Sequence, residues 1–249
     1  MEEDKKVFFG EKIVDQETKT FFVNRLFSRV SDKYDLMNDL MSIGLHRYWK
    51  DAFVQGLDNP NARLLDVAGG TGDITKRFYD FATKHSVNPT IVLCDLNLDM
   101  MKKSSEKLVN KGVIGVNYVN ANAENLPFKD NSFDYYTVSF GIRNFANIPK
   151  SLNEAFRVLK KGGKFMCLEF SRTQNEIFGS MYKLYSKCFI PTLGSLFVDH
   201  DSYKYLVDSI EKFPSQTEFL ALIKDSGFKD VSYRNLTNGI VAIHTAFKK

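Results

Sequence analysis

Apolar residues recur along this chain in two rhythms, one helical and one extended, and their order predicts the architecture. Residues 17–30 place Phe21, Phe22, Leu26, Phe27 and Val30 at helical spacing. Ser31-Asp32 interrupts that rhythm before a second helical segment over 34–42, and Gly44-Leu45-His46-Arg47-Tyr48-Trp49-Lys50 opens a third. Residues 1–60 are therefore expected to form a helical cap, which either overlies the carboxyl edge of a sheet or covers apolar surface. Short apolar runs then alternate with helices. Strands are expected from Leu64 and over 90–95, 116–120, 133–140 and 164–170, with helices after Gly72 and over 98–108 and 150–159. Lys160-Lys161-Gly162-Gly163 reads as a left-handed C-cap closing the last of these helices. Five strands alternating with helices make a parallel α/β sheet. A terminal hairpin, 231–236 and 240–247 over Thr237-Asn238-Gly239, adds an antiparallel strand and gives a mixed seven-stranded sheet in one domain over 1–249. Before it lie a helical insert at 177–213 and a helix over 219–226 closed by Gly227.

The turn after the first strand carries the chemistry. Leu64-Leu65-Asp66-Val67-Ala68-Gly69-Gly70-Thr71-Gly72-Asp73 bends through three glycines into an amphipathic helix, so a ligand can approach the backbone closely. The dinucleotide fingerprint needs a further glycine three residues after Gly72, where Thr75 stands, and no Lys follows to make a phosphate loop. Acid-x-G-x-G-x-G, the class I methyltransferase pattern, does fit as Asp66-x-Ala68-x-Gly70-x-Gly72, with Ala68 replacing the first glycine. Asp95 closes the second strand, where a carboxylate can accept both hydroxyls of a ribose. The segment 121–128 follows the third strand and offers Asn122 and Ala123 to an adenine ring; a plain turn is the alternative.

Composition narrows the classes further. Hydrophobic residues make up 43% of the 249 positions, enough for a substantial core. The formal charge of +4 is spread along the chain, so no nucleic-acid partner is expected, while weak attraction to an anionic membrane surface stays open. Cys94, Cys167 and Cys188 are odd in number and far apart, which implies neither a disulfide framework nor a metal site. No run of about 18 apolar residues exists to span a bilayer. Met1-Glu2-Glu3-Asp4-Lys5-Lys6 resembles neither a secretory signal nor an Arg-rich transit peptide.

Three long stretches, 34–50, 65–73 and 138–145 continuing to Leu168-Glu169-Phe170-Ser171, closely resemble the quinone-biosynthesis C-methyltransferases of ubiquinone and menaquinone formation. Residues 202–210 and 213–216 are most similar to the mitochondrial coenzyme Q branch. The resemblance implies a Rossmann-like class I fold and S-adenosylmethionine as methyl donor. The implied reaction is C-methylation of a 2-methoxy-6-polyprenyl-1,4-benzoquinol. It carries cofactor contacts onto Thr71, Asp95, Asn122, Ala123 and Ser139, with Asp66 and Gly69 near the methionine end. It also implies a homodimer, membership of a multi-subunit coenzyme Q biosynthesis complex and peripheral membrane contact. The expected location is the matrix side of the mitochondrial inner membrane in a eukaryote, or the cytoplasm in a bacterium. The apolar stripe Phe178, Met181, Leu184, Tyr185, Cys188 and Phe189, continued by 190–198, is expected to house the prenyl tail, unless it packs in a dimer or core.

A hydroquinone ring carbon becomes nucleophilic once the neighbouring hydroxyl loses its proton. Just past the fourth strand, Arg143 is expected to stabilise the phenolate or hold a water, with Asn144 orienting. The alternative is that Arg143 forms a salt bridge with a loop carboxylate and only holds the strand end. Tyr34, His46, Asp199, His200 and Asp201 are all candidates for the base, and His46 lies within a family-like motif. Three rivals remain: methylation of demethylmenaquinone, a non-catalytic structural subunit of a quinone-biosynthesis assembly, and a nicotinamide-dependent oxidoreductase, which the missing glycine disfavours.

Overall fold

The computed structural model describes residues 6–31, 38–39, 42–171 and 200–249. The chain opens with a hairpin absent from the sequence expectations, β1 (Val7–Phe9) against β2 (Lys12–Val14), turning at Gly10. Helix α1 (Gln16–Val30) follows, its N-terminus capped by Asp15, whose carboxylate accepts from Thr18 N at 2.7 Å. Helix α2 (Leu45–Val54) then buries Trp49 and Phe53.

The body alternates as the hydrophobic pattern predicts: β3 (Leu64–Val67), α3 (Asp73–Lys84), β4 (Ile91–Asp95), α4 (Leu98–Asn110), β5 (Val116–Asn120), β6 (Phe133–Ser139), α5 (Ile148–Val158) and β7 (Leu159–Phe170). Helices α6 (His200–Lys212) and α7 (Gln216–Asp225) precede β8 (Lys229–Leu236) and β9 (Val241–Phe247). Seven strands form one sheet in the order β5-β4-β3-β6-β7-β9-β8. The first five run parallel, and β9 inserts antiparallel between β7 and β8. All four residues of β3 are buried, as a central strand covered on both faces must be. Trp49, Phe53 and Phe78 pack on one face of the sheet, and Tyr136, Phe165 and Phe228 on the other. Because the chain moves from β3 outward to β5 and then returns to β6 on the far side of β3, the sheet switches direction beside β3. Open α/β sheets bind ligands at such a point.

One expectation is corrected. Helix α5 ends without a left-handed cap, since Leu159 is already extended at φ −71°, ψ 142°. Lys160-Lys161-Gly162-Gly163 lies inside β7, where Gly162 at φ +81° forms a bulge. There the pairing with β6 jumps from Phe133–Leu159 to Tyr135–Lys164. The local sequence is the same in either reading; what favours the bulge is the C-terminal strand, since Gly162 N donates to Lys248 O at 2.6 Å and Lys248 N to Gly163 O at 3.0 Å. The apolar stripe over 178–198 lies outside the described residues.

Candidate active site at the carboxyl edge of the sheet

Where β3 ends, the backbone turns at Ala68 (φ +51°), Gly70 (φ +54°) and Gly72 (φ +80°) into α3. A cleft opens over this turn. Asp95, at the end of β4, lines it and is held by two amides: Gly70 N donates to Oδ2 and Asn97 N to Oδ1, each at 2.8 Å. Burial nonetheless pushes its carboxyl above the usual range. Asn122 and Ala123 line a second side; Asn122 Oδ1 accepts from Glu124 N at 2.9 Å, which leaves the amide nitrogen as the donor it can offer. Phe140, Gly141 and Asn144 come from the turn after β6, and α1 closes the cleft with Thr20, Val23, Asn24 and Phe27. A carboxylate set at one end of an apolar cleft suits a ligand with a ribose and a flat base.

The remaining cofactor candidates sit beneath the cleft lining. Asp66 is 1% exposed; its Oδ2 accepts from Thr75 Oγ1 at 2.8 Å and Thr75 N at 3.2 Å, and its Oδ1 from Thr137 Oγ1 at 3.0 Å. It thus joins α3 to β6 under the loop, and burial raises its pKa to about 6. Gly69 packs on β4: its N donates to Cys94 O at 3.2 Å, and a Cβ there would stand 2.7 Å from Leu93 Cγ. Thr71 Oγ1 receives Lys107 Nζ at 3.2 Å. Lys107 also reaches Asp73 at 3.1 Å, and Lys50 reaches the same carboxylate at 2.6 Å. Ser139 ends β6 with its Oγ buried and without a hydrogen-bond partner among the described residues.

The catalytic candidates separate. Asn144 lines the cleft, and its Oδ1 accepts from Tyr205 OH at 3.1 Å. Arg143 points away into a neighbouring groove, buried against Glu169. Its Nη1 donates to Glu169 Oε1 at 2.7 Å and to Phe140 O at 2.6 Å, and its guanidinium lies over the Phe170 ring at 5.5 Å. His46 is buried on α2 with Nε2 2.8 Å from Asp39 Oδ1, and its Nδ1 has no partner among the described residues. Burial lowers the His46 pKa. Tyr34 and Asp199 lie outside the described residues, as do the side chains of His200 and Asp201. Among the described residues, no group of three or more His, Cys, Asp or Glu side chains is placed to hold a metal ion.

The family model described as the ubiE/COQ5 methyltransferase family matches residues 12–248. The chain belongs to this family. It is 50% identical over 242 residues to the ubiquinone/menaquinone biosynthesis C-methyltransferase of Rickettsia prowazekii, covering 96% of this chain and 98% of that one. The Rickettsia massiliae protein of the same name is 49% identical, covering 97% and 98%. In fold it is similar to an S-adenosylmethionine-dependent methyltransferase from Thermotoga maritima, with a TM-score of 0.64, 20% identity and coverage of 91% and 100%. It is also similar to a Haemonchus contortus phosphoethanolamine N-methyltransferase solved with S-adenosylmethionine, with a TM-score of 0.60, 14% identity and coverage of 80% and 52%.

For this ubiE/COQ5 family member, sequence reasoning left open whether the N-terminal helices overlie the carboxyl edge or cover apolar surface, because an amphipathic helix looks the same in both roles; α1 takes the first. Sequence reasoning missed Asn97. The signal was present, since Asp95-x-Asn97-x-x-Met100 after a strand is an N-cap pattern, and Asn97 Oδ1 does accept from Met100 N at 2.9 Å.

Proposed function

We propose that this methyltransferase transfers the methyl group of S-adenosylmethionine to a ring carbon of a polyprenylated benzoquinol in ubiquinone biosynthesis. The observation that carries the reading is Asp95 at the edge of an apolar cleft, in a chain alike over nearly its full length to ubiquinone/menaquinone C-methyltransferases. Bound there, the sulfonium supplies an electrophilic methyl group. In this reading Asp95 accepts the ribose hydroxyls, while Asn122 and Ala123 meet the adenine. Asp66, Gly69, Thr71 and Ser139 set the loop and strand end on which the methionine portion rests.

Asn144 is the polar side chain that the turn after β6 presents to the cleft, and it orients the quinol. Arg143 holds that turn through Phe140 O and Glu169 and contributes positive potential to a phenolate formed nearby. Holding the ring carbon, methyl and sulfur in line accounts for several kcal/mol of the barrier. The base is drawn from Tyr34, Asp199, His200 and Asp201, or from His46, whose pKa burial lowers. Incubation with S-adenosylmethionine and each demethylated quinol, read by mass for the gain of one methyl, tests the proposal. Methylation of the naphthoquinol alone selects menaquinone formation, and cofactor binding without methylation of either selects a structural subunit.

The family's membrane-borne substrate also supports peripheral contact. Phe8 and Phe21 are 54% and 61% exposed on the N-terminal face, where Lys212 Nζ lies 4.2 Å from the Phe8 ring centre. No described helix is long and apolar enough to cross a membrane. A homodimer and a place in a multi-subunit assembly belong to the same proposal. So does location, for which the bacterial relatives favour the cytoplasmic alternative.

A further inference from the structure

Asn97 makes more contacts than an N-cap requires. It is 4% exposed, and three of its polar groups face three different elements. Its backbone N donates to Asp95 Oδ1 at 2.8 Å, and its Oδ1 accepts from Met100 N at 2.9 Å, starting α4. Its Nδ2 is shared among Asn24 Oδ1 at 2.6 Å, Asn24 O at 2.9 Å and Ser28 Oγ at 2.9 Å, all on α1. Helix α1 is the wall that closes the cleft opposite the glycine turn, and Asn24 is one of the residues lining it. Because Asn24 commits its oxygen to Asn97, the amide nitrogen is what Asn24 offers to a bound molecule. One buried residue therefore sets the carboxylate beneath the ligand through its backbone N and a donor above it through its side chain. A second tether, Lys19 Nζ to Phe145 O at 2.8 Å, fixes the N-terminal half of α1 to the turn beyond Asn144.

We propose that Asn97 is a positioning residue for the cofactor, clasping α1 over the cleft so that Asp95 below and Asn24 above grip the nucleoside together. The proposal rests on the reading of this cleft as the S-adenosylmethionine site. A ligand under a clasped helix leaves only when the helix lifts, so losing the clasp speeds departure more than it slows arrival.

The clasp can be removed without removing the cap. Asn97→Ser keeps a side-chain oxygen for Met100 N and the backbone N for Asp95, but loses the donor to α1. Stopped-flow measurement with S-adenosylhomocysteine should show dissociation roughly tenfold faster, the scale of one or two hydrogen bonds, with association changed less than threefold. Amide exchange in the ligand-bound protein should rise along 20–28 and remain low in α4. Asn24→Ala removes one of the three acceptors and the donor to the ligand and should speed release too, and Asn97→Ser should add less in the Asn24→Ala background than it does in the parent. An off-rate within twofold of the parent, or full additivity of the two changes, overturns the clasp. If Asn97→Ser fails to fold, Ser28→Ala takes its place, with a smaller acceleration of release expected and no change overturning the proposal. Asp95→Ala serves as the control for the underlying reading. Unaltered affinity there refutes the cofactor site itself, whereas weakened affinity with an unaltered Asn97→Ser off-rate refutes the clasp alone.

Discussion

Gly141 lacks a side chain at the point where the methyl group of Ala68 sits: a Cβ on Gly141 would lie 2.6 Å from Ala68 Cβ. Ala68 is the position at which the loop departs from glycine, and it adopts φ +51°, where a side chain is rarely found. Gly141 has φ −112° and ψ −38°, a conformation open to any residue, so the need for glycine there is steric. The alanine in one loop is thus accommodated by the glycine in the facing turn. Gly141→Ala should destabilise the protein by about 1–3 kcal/mol through overpacking. In an Ala68→Gly background most of that loss should disappear. Urea unfolding of the four proteins gives the coupling, and an equal loss in both backgrounds would rule the contact out.

Most of the fold was legible because it rests on local pattern. The buried runs of β3, β4 and β6 and the turn at Thr237-Asn238-Gly239 each announce an element in a few residues. What the sequence hid depends on partners far along the chain. The bulge at Gly162 answers to Lys248, the N-terminal hairpin leans on α6 through the stacking of Phe9 on Tyr205, and α1 reaches Asn97 across more than sixty positions. The site divides in the same way. Asp95, Asn122, Ala123 and Asn144 follow from strand ends and lie in the cleft, whereas the direction of Arg143 is set by Glu169, which reads in sequence as part of an ordinary buried strand.

Removing Asp95 tests the cofactor end of the cleft. Asp95→Ala should weaken S-adenosylhomocysteine binding by about 2–3 kcal/mol, the loss of a charged acceptor for two hydroxyls. It also frees Gly70 N and Asn97 N, so part of the loss comes from a looser turn. Calorimetry of the folded variant reports the value. Affinity equal to that of the parent would exclude Asp95 from the site.

The ion pair between Arg143 and Glu169 changes what an alanine at 143 can report. From sequence, Arg143→Ala should keep cofactor binding and lose only turnover. Glu169 is 1% exposed, however, and burial already raises its pKa against the lowering effect of Arg143. Without the guanidinium, an unpaired buried carboxyl remains, and stability should fall by about 3–5 kcal/mol. The informative variant replaces both partners by methionine. It should recover most of the stability while turnover stays well below that of the parent, because the cleft has lost the positive potential of the guanidinium. Recovered turnover would reduce Arg143 to a packing role.

Asp66 gives a dependence on pH whose sign is fixed by its burial. Its pKa rises from 3.8 to about 6 in the fold, chiefly through desolvation and despite hydrogen bonds from Thr75 and Thr137. An acid raised in this way holds its proton in the folded chain at pH values where the unfolded chain has released it. Stability from this residue is therefore fully present below about pH 4, declines through pH 6 and is flat beyond, with a total change on the order of 3 kcal/mol. Asp66→Asn keeps the shape and removes the charge. Its oxygen can accept from Thr75 N and Thr75 Oγ1, and its nitrogen can donate to Thr137 Oγ1 once that hydroxyl rotates to accept. The variant should equal the parent near pH 4 and exceed it at pH 8, narrowing the difference between the two pH values. Urea titrations at pH 4, 5, 6 and 8 check this, and a parent-to-variant difference constant across them would show that Asp66 titrates as it does in the unfolded chain.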